Sequence, residues 1–150
     1  MSVTISPARS GDYADCKRIV NQKANREGFG FLMRSVFDDY VKRGTKDTRY
    51  VLCVLKAGGT VIGFMRALHR LDGQTTLHEI CIDSACHGQG HGRQLIAHLK
   101  ADAKRRTQHT LLVKTPQGIA ANAFYKAVGL RLSHAEKAKV RMVNVYKTIL

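Results

Sequence analysis

The sequence predicts a mixed α/β fold, a mostly antiparallel sheet flanked by helices, in the order βααβββαβαββ. Three observations carry this. Near Tyr50 the hydrophobic spacing changes from helical to extended apolar runs. Three glycines at alternate positions, Gly88, Gly90 and Gly92, lead from a strand into a helical pattern. Thr75–Thr115 reads as strand, helix, strand, and a helical crossover joins parallel neighbours, so one pair in the sheet is parallel.

The elements follow in order. Val3–Ser6 is a short strand, and Ser10 or Asp12 caps a helix that runs to about Asn25. Leu32, Val36, Phe37 and Tyr40 give helical spacing over Phe31–Lys42. Tyr50–Leu55 and Val61–Leu68 form a hairpin about Gly58-Gly59, and Asp72-Gly73 turns the chain into a third strand, Thr75–Asp83. After the glycines, Leu95, Ile96, Leu99 and Ala103 mark a helix that ends in Lys104-Arg105-Arg106. Thr110–Thr115 is a strand, and the next helix spans Ile119–Val128 with Gly129 past its end. Strands near Leu130–Ser133 and Val140–Ile149 complete the pattern.

The 150 residues, 44% hydrophobic and 24% charged, suit one domain over residues 1–150. No apolar run approaches the roughly 18 residues of a membrane helix, and the first residues lack the layout of a secretory signal. Four cysteines without a Cys-x-x-Cys pair fit a reducing compartment, so we expect a cytoplasmic protein with no membrane partner. The net charge of +14 is less ordinary. It suits a polyanionic partner or a basic solubility surface, and the sequence leaves both open.

A glycine-rich turn that opens a helix presents backbone N–H groups without intrahelical partners, at the positive end of the helix dipole. That is a seat for phosphate, and His87, His91 and Arg93 add cationic character. A Walker loop is excluded because no Gly-Lys-Ser/Thr follows, and the dinucleotide spacing GxGxxG is absent. The alternative of zinc on Cys81, Cys86, His87 and His91 lacks paired ligand spacing, so no metal is expected.

His87-Gly88-Gln89-Gly90-His91-Gly92 resembles the acetyl-CoA motif Gln/Arg-x-x-Gly-x-Gly/Ala of the GNAT superfamily of N-acetyltransferases, with His87 in place of the first Arg or Gln. Asn122–Leu130, NAFYKAVGL, resembles the family's later Asn-x-x-Phe-Tyr helix. The layout is also similar to small phage and bacterial members whose acceptor is unassigned. The resemblance implies a sheet splayed open after Thr75–Asp83, with acetyl-CoA in the gap and an amine attacking its thioester directly in a ternary complex. It implies cofactor contacts from His87, Gly88, Gln89, Gly90, His91, Gly92, Arg93 and Asn122, and an oxyanion donor at the Ile82 backbone N–H.

The chemistry needs a base for the amine, stabilisation of developing negative charge, and a proton for the leaving thiolate. Tyr125 is the candidate proton donor, because the helical periodicity turns it away from the apolar set Ile119–Val128, with Asn122 on the same side. For the base, strand alternation puts Leu77, Glu79 and Cys81 on one face and His78, Ile80 and Ile82 on the other. Glu79 among apolar neighbours is one candidate; His78 and solvent are others, and an ion-paired Glu79 is equally open.

Cations interleaved with aromatics over Lys23–Arg49 single out Arg34 and Phe31 as acceptor-binding candidates. With this charge, an amine on a nucleic acid suits the field better than a free polyamine. Protein and small-molecule amines remain alternatives, as does a non-catalytic CoA-binding module that holds nucleic acid. A monomer and a homodimer are both compatible with the sequence.

Overall fold

A computed structural model describes residues 2–25 and 32–150. Seven strands form one open sheet in the order β1-β2-β3-β4-β5-β7-β6. These are β1 (Val3–Pro7), β2 (Tyr50–Ala57), β3 (Thr60–His69), β4 (Gln74–Ile82), β5 (Thr110–Pro116), β6 (Arg131–Lys137) and β7 (Met142–Ile149). Four helices flank it: α1 (Tyr13–Val20), α2 (Arg34–Gly44), α3 (His91–Arg105) and α4 (Ala121–Ala127). Every pairing is antiparallel except β4 with β5, which α3 connects. The expected order and the single parallel pair are both present.

Two apolar clusters cover the two faces of the sheet. On one, Leu95, Ile96 and Leu99 of α3 and Val128 pack on Met65, Leu77, Leu111 and Val113. On the other, Cys16 and Ile19 of α1 and Phe37 and Tyr40 of α2 pack on Leu52, Val54 and Phe64. Burial on both faces explains why β2 and β3 read as nearly unbroken apolar runs. Each fully buried Leu or Ile of α3 contributes roughly 1.5–3 kcal/mol.

The expected alternation in β4 is corrected by a bulge. Arg66 is paired with Glu79 but Ala67 with Leu77, so His78 is the extra residue. The bulge reverses the faces. Leu77 belongs to the α3 cluster and Cys81 to the α1/α2 cluster, while Ile80 and Ile82 pack beside α3.

The bulge also marks where the sheet opens. β4 and β5 are paired from Gln74↔Thr110 to Leu77↔Val113 and no further, although both strands continue. From His78 onward β4 parts from Lys114–Pro116.

The opposite end of β4 is locked. His69, with no exposed surface, bonds Thr75 Oγ1 through Nδ1 at 2.8 Å and Asp102 of α3 through Nε2 at 2.7 Å. Burial lowers the His69 pKa, partly opposed by the Asp102 bond. Enclosure lowers that of His78 to about 4, with Arg66 and Arg70 adding to the effect. Both histidines bind a proton more readily unfolded than folded, so stability is lost as pH falls below about 6.5. The thermal midpoint should fall between about pH 7 and about pH 5, and less so in His69→Gln. His69→Ala should lower stability by about 2–4 kcal/mol and the midpoint by roughly 5–15 °C, measured by calorimetry.

Candidate active site

The gap between β4 and β5 is a cleft of about 590 Å³. Its walls are His78–Ile82 of β4 and Lys114–Pro116 of β5. The glycine loop and α4 close one side, and Val20, Ala24, Asn25 and Phe64 line the other.

The three glycines have different reasons to be bare. Gly88 and Gly90 have φ of +77° and +82°, and a Cβ on either would meet nothing within 4 Å. They give the backbone a left-handed path and leave the loop open to a ligand. Gly90 is the N-cap of α3 and no side chain caps it, so the first helical N–H groups face the cleft without a protein cap. A Cβ on Gly92 would stand 2.9 Å from the Phe124 ring. The missing side chain at Gly92 therefore serves the contact between α3 and α4, a correction to the expectation that all three clear space for phosphate.

Ile82 lies at the end of β4, where alternation turns its N–H and C=O into the gap. Its carbonyl accepts from Asn25 Nδ2 at 2.9 Å and His87 Nε2 at 2.8 Å. His87 thus ties the loop to the strand. His91 lines the cleft with its Nδ1 3.0 Å from Gln94 Oε1, while its Nε2 is buried without a partner. Arg93 is on the cleft wall and donates to the Ala127 carbonyl at 3.2 Å, at the end of α4. Gln89, expected to touch the cofactor, is exposed and off the cleft wall, because it sits between the two left-handed glycines at the apex of the turn.

Tyr125 lines the cleft, but its ring is buried rather than turned outward. The expectation from helical periodicity is corrected here. α4 buries Tyr125, with buried Val128 just past its end, and exposes Ala123 and Ala127, so its inner face is rotated relative to the apolar set read from sequence. The ring lies 5.3 Å from that of Phe124 and 5.9 Å from that of Tyr146, centroid to centroid. Burial, with the nearby Cys81 thiol, raises the phenol pKa above its ordinary value. The hydroxyl therefore keeps its proton throughout the physiological range.

Asn122, expected to touch the cofactor, is held by protein groups at both ends of its amide. Its Nδ2 donates to the carbonyls of Pro116 and Ile119, both at 2.9 Å. Its Oδ1 accepts from Asn144 at 2.9 Å and from the Tyr146 hydroxyl at 2.8 Å. It is not on the cleft wall. With its amide held by protein groups, Asn122 fixes the start of α4 against β5 and β7.

Glu79 lines the cleft as an ion pair. Arg66 Nε and Nη2 approach its Oε1 at 3.3 and 2.9 Å, while Oε2 is buried without a partner. Arg66 also lies over the Tyr40 ring, 4.9 Å from its centroid. His78 beside it can be reached by solvent through the open mouth, yet the walls around it keep its imidazole neutral. Cys81, also on the wall, has its thiol pKa pushed up to about 12 by burial and then by the Glu79 charge. Sequence reasoning missed Arg66, Asn25 and Phe64. The signal for Arg66 was a lone cation in the apolar run IGFMRAL.

Arg34, expected at the acceptor, is elsewhere. It pairs with Asp38 at 3.1 Å, lies 4.7 Å from the Tyr13 ring centroid and lines a separate groove with Lys17 and Leu32. Phe31 lies outside the described residues. Among the described residues, no group of three His, Cys, Asp or Glu gathers to hold a metal ion, and no helix is long and apolar enough to cross a membrane.

A sheet that parts beside a glycine-capped helix, with a buried tyrosine on the wall, defines the class of acyl-CoA-binding transferases. The chain belongs to the Acetyltransferase (GNAT) family, whose model matches residues 16–130. It is a family of acetyl-CoA-dependent N-acetyltransferases. The fold is similar to that of the ribosomal-protein-S18-alanine N-acetyltransferase from Escherichia coli (20% identity, 99% of this chain and 94% of that one, TM-score 0.78). It is similar to that of Ard1 from Thermoplasma volcanium (15% identity, 100% and 99%, TM-score 0.83). It is also similar to that of the PaiA N-acetyltransferase from Thermoplasma acidophilum, solved with coenzyme A (12% identity, 99% and 100%, TM-score 0.79). No curated protein sequence matches the chain.

The open glycines, the uncapped start of α3 and the unpartnered His91 Nε2 fit a phosphate-bearing cofactor. Gly92→Ala should push Phe124 aside and weaken CoA binding about tenfold by titration calorimetry, roughly 1.4 kcal/mol. Adding Phe124→Leu should restore most of it; an unchanged affinity in the single variant would show that the α3–α4 contact does not shape the cradle.

Proposed function

We propose that the cleft transfers an acetyl group from acetyl-CoA directly to an amine, in a ternary complex, and that the amine belongs to a nucleic acid. The carrying observation is the parting of β4 from β5 at His78, beside the glycine loop and with Tyr125 on the wall. When bound, acetyl-CoA supplies an acyl thioester.

The chain's own groups have these roles. Backbone N–H groups of Gly88–Arg93 hold the cofactor phosphates, with the His91 ring beside them on the wall. The Ile82 N–H donates to the acyl oxygen as it gains charge. Glu79 Oε2 takes the proton from the attacking nitrogen, while Arg66 holds the other carboxylate oxygen. As the N–C bond forms and the C–S bond breaks, Tyr125 donates its hydroxyl proton to the departing sulfur and regains one from solvent. A Cys81 thiol kept protonated supports direct transfer over an acyl-enzyme on that residue. Four free thiols support a reducing, cytoplasmic setting. The net charge of +14 supports the polyanionic acceptor.

Tyr125→Phe should lower turnover at least about 100-fold with acetyl-CoA affinity within about threefold of wild type. Labelled acetyl transfer into amine-bearing nucleic acid, protein and small amines reads both the rate and the acceptor. Unchanged transfer in the variant would remove Tyr125 from the chemistry, and tight CoA binding with no transfer to any acceptor would mark a binding module.

A further inference from the structure

The positive charge is unevenly placed along the chain. From Ser84 onward there are 12 Lys and Arg against two carboxylates, Asp102 and Glu136; residues 1–83 hold 13 against nine. Those two carboxylates are already engaged, Asp102 with His69, Arg105 and Arg106, and Glu136 with Lys114 and His134. Nothing acidic in this half remains to neutralise the cations of β6 and β7.

Here Arg131 lies directly opposite Lys147 in the ladder. Like charges facing each other across strands destabilise a sheet, so folding alone gives no reason for the pair. β6 is an edge strand, exposed along almost its whole length. Lys137 and Lys139 lead into the turn that joins it to β7, next to Val140, which is 93% exposed. The hairpin adjoins the cleft, since Pro116 on the cleft wall pairs with Val143, and Gln117 N donates to the Met142 carbonyl at 3.1 Å.

We infer that the exposed face and tip of the β6–β7 hairpin dock the sugar-phosphate backbone of a nucleic acid, bringing an amine-bearing base to the cleft mouth. This rests on the proposed nucleic-acid acceptor. The hairpin's one aromatic residue, Tyr146, is fully buried, so the surface meets phosphates without stacking bases and binds independently of sequence. Leu132, Val140 and Met142 alternate with cations along the chain and form no continuous apolar face of the kind that enters a membrane.

The test is fluorescence anisotropy with a labelled single-stranded 20-mer and its duplex, at salt from about 50 to about 200 mM. Affinity for the single strand should fall with salt by roughly 0.7 log units per log unit for each neutralised phosphate. The triple variant Lys137→Gln, Lys139→Gln, Lys147→Gln should flatten that slope by about 2 and bind at least about tenfold more weakly. Its acetyl-CoA affinity and its transfer to a small amine should be unchanged. Three results would overturn the inference: wild-type affinity in the triple variant, an equal loss from Lys42→Gln, Lys46→Gln at the end of α2 and in the turn after it, or equally tight binding to polyglutamate or anionic vesicles. A wild-type protein that fails to bind acetyl-CoA would count against the proposed function, whatever the nucleic-acid result.

Discussion

The site depends on one backbone constraint: polar groups of β4 that lose their β5 partners at Leu77 still need partners inside a partly buried gap. The protein meets this in two ways. Asn25 and His87 both donate to the Ile82 carbonyl and brace the free end of the strand from opposite sides. The N–H groups that face the same gap are the ones left for a ligand. A β-bulge at His78 makes the parting possible, because an extra residue twists the strand away from its neighbour. The paired end of β4 is held to α3 by His69 and Asp102, so the opening is confined to one end.

A second hub sets the position of Tyr125. α4 is only seven residues long, too short to hold its place by helix propensity. Asn122 supplies that hold with four hydrogen bonds to β5, β7 and the preceding turn. At the other end, Arg93 and Lys100 of α3 donate to the Ala127 and Val128 carbonyls, where cations also suit the helix dipole. The glycine loop and the tyrosine are therefore parts of one rigid unit. Phe124 packs against Gly92, where an added Cβ would stand 2.9 Å from its ring. A tyrosine packed on two aromatic rings is held in place, so its hydroxyl keeps one position on the cleft wall.

Much of this was legible in the residues. Element order, the parallel pair and the glycine-led helix follow from period changes and turn chemistry, which are local signals. The faces of β4 were not legible, because a bulge is a property of the pairing of two strands and His78 carries no mark of it. Asn122 looked like a ligand because a polar residue near a tyrosine reads the same whether its amide meets a cofactor or the protein. Its partners, Asn144 and Tyr146, lie 22 and 24 residues away. Arg34 looked like an acceptor residue because sequence shows cations beside aromatics without showing that Asp38 and Tyr13 already hold it. The Arg34–Asp38 pair, at i,i+4, was within reach of sequence reasoning; the partners far along the chain, Tyr13 for Arg34 and Asn144 and Tyr146 for Asn122, were not.

Charge and chemistry are separated in this molecule. On the α1/α2 face most cations meet a carboxylate or an aromatic ring, as with Arg34, Arg43 and Arg66, so that surface is close to balanced. From Ser84 onward Arg105 and Arg106 share Asp102 and Lys114 meets Glu136, but the cations far outnumber the acidic side chains, and the like-charged pair Arg131–Lys147 costs stability that a neutral pair would not. A field from that half reaches outward by about a Debye length, roughly 8 Å at physiological salt, and acts on encounter before any contact forms. At the His78–Ile82 wall of the cleft the balance is different, with Glu79 offset by Arg66 and His78 neutral. A cationic ammonium would be opposed by the outer field and a polyanion drawn in by it. The outer field and the pairing at the β4 wall are set by different residues, so either can be altered without the other.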